Sequence, residues 1–154
     1  MTIYNFGSIV LDNFYRMPRI PVPGESVRAN DVNFGLGGKG ANQSIAARKA
    51  GSDVVHIGAI GFDGEHILNN LKKLKINTKH IYISSVKTGH ANITIDPKGE
   101  NAITFFAGAN DDQALERISL GLERALPKDI FLLQNEVSLV PEAAKIAIKR
   151  ANIS

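Results

Sequence analysis

The apolar residues of this chain follow two rhythms. Ile3–Leu11, Val54–Ile60 and Ile130–Leu133 are runs with little polar alternation, as expected of strands covered on both faces. Ile76–Ile83 reads as a weaker strand. Between these runs the spacing turns helical. Ala41–Ala50 is a small-residue helix stopped by Gly51, and Glu65–Lys75 carries Ile67, Leu68, Leu71 and Leu74 on one face. Asp111–Leu126 reads as a helix capped by an Asp and stopped by Pro127, and Pro141 opens a last helix that runs nearly to Ser154. Two stretches break this alternation. Val27–Phe34, in a Pro-rich segment, alternates loosely. Ala91–Ile95 and Ala102–Phe106 alternate cleanly around the turn-forming Asp96-Pro97-Lys98-Gly99-Glu100, which predicts a hairpin. The pattern is that of an α/β protein, a parallel sheet flanked by helices, with a small antiparallel β flap.

The 154 residues fit one domain at about 150 residues per domain. With no cysteine, disulfides, thiolate metal sites and a Cys nucleophile are excluded. His56, His66, His80 and His90 lack close ligand spacing, so no metal site is expected. No run approaches membrane-spanning length and the N-terminus has no signal-peptide pattern, so a cytoplasmic protein is the expectation. The net charge is +3, with a weak cluster at Lys72, Lys73, Lys75 and Lys79. No aromatics interleave with these lysines, so they read as a solvated helix end and not as a nucleic-acid surface.

Gly35-Leu36-Gly37-Gly38-Lys39-Gly40-Ala41-Asn42 is the most informative segment. It contains G-x-G-x-x-G, but the residues before it are too polar for the buried strand that a dinucleotide fingerprint needs. A phosphate-binding G-K-[ST] loop is excluded because Gly40 follows Lys39. Glycines at a helix start expose backbone N–H groups to a ligand, and Lys39 and Asn42 share a helix face. The glycines alone equally suit a tight turn that brings the helix close to a sheet. Asp12 follows the first apolar run and Glu136 the third, which places both carboxylates at the strand edge where open α/β sheets bind ligands. Either acid alone also fits a turn or a solvated loop; their common placement suggests a polyhydroxyl ligand, since charged acceptors bind hydroxyls strongly.

Gly37–Gln43 with Ala46-Ala47 and Gly51, Pro21-Val22-Pro23-Gly24-Glu25 before it, Ala107-Gly108-Ala109-Asn110, and Leu132-Leu133-Gln134 leading to Glu136 resemble the ribokinase-like (phosphofructokinase-B type) carbohydrate kinases over nearly the whole chain. The resemblance implies a ribokinase-like fold, incomplete at the C-terminus, in which residues 1–154 are the N-terminal half of one kinase domain. It implies a β lid built from segments near 13–35 and 88–106. A homodimer through the lids and ATP- and Mg²⁺-dependent phosphorylation of a sugar's primary hydroxyl are implied as well. By position, Asp12, Gly38, Lys39, Asn42 and Glu136 would hold sugar hydroxyls.

Three departures qualify this. Val10 stands where ribokinases carry an Asn in Gly-Ser-x-Asn-x-Asp, which puts the identity of the sugar in question. Gly61–Glu65 is slightly shorter than the family's acidic loop. The Gly-Ala-Gly-Asp anion hole with its catalytic base, the Asn-x-x-Glu motif and the adenine-binding strands are absent, so no catalytic residue is expected here and phosphoryl transfer lacks its machinery. The leading expectation is a sugar-kinase half, inactive alone, its C-terminal half cut away or supplied in trans. A non-catalytic sugar-binding or regulatory module is the alternative, and a dinucleotide-binding protein a remote one. A sheet cut midway is expected to leave the chain marginally stable or self-associating.

Overall fold

The computed structural model describes residues 1–151. Its centre is a parallel sheet of four strands in the order β5-β4-β1-β8, formed by β1 (Thr2–Phe6), β4 (Asp53–Gly61), β5 (Asn77–Ser84) and β8 (Ile130–Leu133). Side chains of these strands alternate between two cores. Ile3, Val54, Ile60 and Ile81 pack under α1 (Lys39–Lys49) and α2 (Glu65–Lys73), with Ala41, Ile67 and Leu71 as the helices' contribution. Tyr4, Phe6, Val55 and Ile57 pack on the other face with Ile118 of α3 (Leu115–Gly121) and Ala143 of α4 (Val140–Ala151). Coverage on both faces is the reason these strands read as continuous apolar runs.

A second sheet has the order β3-β2-β6-β7, from β2 (Val10–Arg16), β3 (Asp31–Gly37), β6 (Gly89–Ile95) and β7 (Asn101–Phe106). The β6–β7 hairpin forms as the alternation predicts, with Asp96 N–H bonded to Glu100 C=O at 3.0 Å. The sheet is mixed and not wholly antiparallel: β2 and β6 pair in parallel because both leave the same end of the central sheet, one after β1 and one after β5.

Several expected elements are corrected. Ile3–Leu11 is not one strand. The chain leaves the central sheet at Gly7–Ile9, where side chains replace the strand ladder: Asn110 accepts from Ile9 N–H (3.0 Å) and donates to Ile9 C=O (2.9 Å), and Gln134 accepts from Ser8 N–H (3.3 Å). The strand expected over Val27–Phe34 lies at Asp31–Gly37, so it includes the first glycines of the Gly-rich segment. The single helix over Asp111–Leu126 is a short 3-10 turn, Gly108–Asp111, followed by the seven-residue α3. No Asp caps α3; its N-cap is the extended Ala114, and the Asp112 carboxylate instead accepts from the Ser84 hydroxyl. Lys79 is not on a helix end but in β5. The last helix begins at Val140, and its expected continuation past Ala151 lies outside the described residues.

Candidate functional site

The site forms where β1 and β8 end and the chain crosses to the second sheet. Helix α1 starts there in unusually close contact with the crossing. A Cβ on Gly40 would lie 2.5 Å from the Ser8 backbone nitrogen, and one on Gly38 would lie 2.7 Å from the Ser8 carbonyl oxygen, with Gly38 at φ +90°. Ala41 N–H bonds to Ser8 C=O at 2.9 Å. Asn5, buried on β1, donates to Gly40 C=O (2.8 Å) and Ser44 Oγ (3.0 Å), fixing the first turns of α1 to the strand. The glycines thus serve the close-packing role the sequence left open.

Glu136 lies in the turn after β8 and caps this helix from outside its own segment. Its Oε2 accepts from the Ser8 hydroxyl (2.7 Å) and from Lys39 N–H (3.0 Å), and its Oε1 pairs with the Lys39 ammonium. Burial pushes the Glu136 carboxyl up, but the bonds from the Lys39 ammonium, the Ser8 hydroxyl and Lys39 N–H outweigh it and hold the group below the usual carboxylate range. A charged acceptor at a helix N-terminus is a favourable arrangement. The Lys39 side chain is 68% exposed, so its ion pair adds little to stability.

Asp12 does not follow the first strand as expected; it is inside β2, opposite Gly35 of β3 and Ala91 of β6. Its carboxylate lies over Gly37, filling the space a Cβ there would need. Burial, and then the charge of Glu136, push the Asp12 carboxyl above its ordinary range. The two acids therefore share one electrostatic neighbourhood although 124 positions separate them in the chain. Asn42 lies in the first turn of α1, on the same face as Lys39, and is exposed. The structure thus gathers Asp12, Gly38, Lys39, Asn42 and Glu136 around one helix start.

Other residues of this cluster escaped the sequence reading. Ser8 joins Glu136 to Gly40 N–H, and Gln134 donates to Asn5 Oδ1 and Gln43 Oε1, both at 2.9 Å. His56 is wholly buried on β4, with Ser44 Oγ 2.8 Å from Nδ1 and Gly7 C=O 3.2 Å from Nε2. The carbonyl requires the proton on Nε2, so Nδ1 accepts from the Ser44 hydroxyl. The available signal was a polar residue inside an apolar strand run, which describes Asn5 and His56.

Two chemistries can be tested on these residues. The strand ahead of the helix is β3, paired antiparallel in the second sheet, and not the buried parallel strand of a dinucleotide fold. For Mg²⁺ and ATP, no group of three acidic or His side chains among the described residues could hold a metal ion, and the N–H of Lys39 at the helix start already serves Glu136. The residues gathered at the helix start are of another kind. They fit a polyhydroxyl ligand, offering carboxylate acceptors beside ammonium and amide donors.

The model of the pfkB family of carbohydrate kinases matches residues 3–152, and the chain belongs to that family. Ribokinase of Staphylococcus aureus is 33% identical over 151 residues, covering 95% of this chain and 49% of that protein. Among solved structures, ribokinase from Cryptococcus neoformans in complex with ADP aligns with TM-score 0.77 at 33% identity, over 99% of this chain and 46% of that one. Arabidopsis thaliana ribokinase complexed with ribose and ATP aligns with TM-score 0.76 at 25% identity, over 97% and 50%. The chain spans about half the length of the curated relatives it matches. The fold is ribokinase-like, and no described helix is long and apolar enough to cross a membrane.

Proposed function

We propose that these residues form the sugar-holding half of a ribokinase-like kinase that, when complete, phosphorylates the primary hydroxyl of a sugar with ATP and Mg²⁺ in the cytoplasm. The observation that carries this reading is the convergence of Asp12 and Glu136 on the start of α1. Asp12 and Glu136 accept sugar hydroxyls, Lys39 and Asn42 donate to sugar oxygens, and Gly38 lets the backbone approach. The 154 residues carry no catalytic base, anion hole or nucleotide site, so they bind sugar without turning it over; those parts belong to the other half of the fold, on the same chain or supplied in trans. Two copies associate through the second sheet, where Ile103 and Phe105 are exposed on one face.

Titration calorimetry with a panel of pentoses and hexoses tests the reading. One or more sugars are expected to bind, and Glu136→Gln or Asp12→Asn is expected to weaken binding by at least about tenfold, the worth of one charged hydrogen bond. Absence of heat for every sugar with folded protein would overturn it. ATP-dependent turnover by the 154 residues alone would overturn the division of labour. The non-catalytic module remains the second reading because the sugar-side cluster is intact; a sugar-phosphorylating assembly with a separate C-terminal half would exclude it.

A further inference from the structure

The sugar cluster sits at the carboxyl end of the central sheet. At the opposite end a cavity of about 170 Å³ opens between β4, β5 and the turn after α3. Its polar lining comes from Tyr4, Asn77, Lys79, His80, Glu123 and Arg124. Two observations converge on it.

The first is a bulge. Val55 of β4 pairs with Asn77 of β5, but Ile57 pairs with His80, so β5 carries one extra residue at this point. In a regular strand Lys79 and His80 would face opposite sides of the sheet. The bulge turns both onto the same cavity, and the Asn77 side chain holds the kink by accepting from Lys79 N–H at 3.0 Å. The second is charge. Among the described residues neither Lys79 nor Arg124 is in an ion pair; the four ion pairs there involve Arg19, Lys39, Arg48 and Arg117. Tyr4 lines the same cavity.

We propose that this cavity binds a small oxyanion of the phosphate type, held by the Lys79 ammonium and the Arg124 guanidinium, with the Tyr4 hydroxyl and the His80 ring as further donors. Arg presents a planar fork and Lys a point charge, a pairing suited to a tetrahedral oxyanion. Glu123 at the rim subtracts one charge and limits the affinity. Burial, then Lys79 and Arg124, hold the His80 imidazole below its ordinary range, against the opposing pull of Glu123. An oxyanion in the cavity reverses that balance and raises it, so binding strengthens as pH falls and His80 takes up its proton. The site stands apart from the sugar cluster and does not depend on the kinase reading.

The test is titration of the whole 154-residue chain with inorganic phosphate, followed by NMR at the His80 ring and the Arg124 side chain. Saturable shifts are expected, with a rise in the His80 pKa, and sodium chloride at equal ionic strength should not reproduce them. Lys79→Gln/Arg124→Gln should weaken binding by at least about tenfold, and both changes fall on unpaired side chains, so the amide spectrum should stay native. Glu123→Gln should tighten binding severalfold. Equal shifts with chloride, a double variant that titrates like the parent, or no tightening in Glu123→Gln would each overturn the proposal.

Discussion

His56 is fully buried and has two fixed hydrogen bonds, so it is neutral in the folded protein. Burial lowers its pKa to about 4, from the 6.5 of a free imidazole, against a small opposing effect of Gly7 C=O. The unfolded chain therefore binds more protons between those values. The stability this His contributes is complete above pH 6.5 and is lost as pH falls toward 4, at up to about 1.4 kcal/mol per pH unit. Urea unfolding at pH 7 and pH 5 should differ by about 2 kcal/mol. His56→Gln, which can keep both hydrogen bonds, should flatten much of that slope; His80, also held low, contributes a smaller part in the same direction. An unchanged slope in His56→Gln would refute the assignment. At this scale the sequence was partly legible. Lys39, Asn42 and Glu136 could be singled out from residue type and position. Ser8 and Gln134 could not, because their partners are remote in the chain.

Elements with strong periodicity were read correctly, and those shaped by side chains were not. The β6–β7 hairpin and α2 follow their patterns, since turn chemistry and an apolar stripe are local properties. The Gly7–Ile9 break and the short α3 follow from Asn110, Gln134 and Ser84, none of which belongs to the segment it reshapes. The second sheet carries a consequence at this scale. Ile103 and Phe105, both exposed, project together from one face of the edge strand β7. Ile103→Ser/Phe105→Ser should leave the fold intact, because both side chains face solvent, and should abolish the proposed dimer in sedimentation. A dimer that survives the change would exclude this face as the contact.

Across the whole molecule, the central sheet separates two cores that share no side chain. Leu71 and Ile118 are fully buried, one in each. Leu71→Ala and Ile118→Ala should each cost about 2–5 kcal/mol, and the double variant should show their sum to within about 0.5 kcal/mol. A large deviation in denaturant unfolding would mean the sheet transmits strain between its faces. The composition and the order of the periodic segments were enough for an α/β architecture, because burial on one or two faces imposes its rhythm on the residues themselves. They were also enough to place two acids near a glycine-rich helix start. Which strand carries Asp12, how Glu136 reaches the helix, and where β5 bulges to bring Lys79 beside His80 depend on contacts between segments far apart in the chain. Such contacts leave no period in a sequence; they exist once the backbone has closed and the polar groups at each crossing have found their partners.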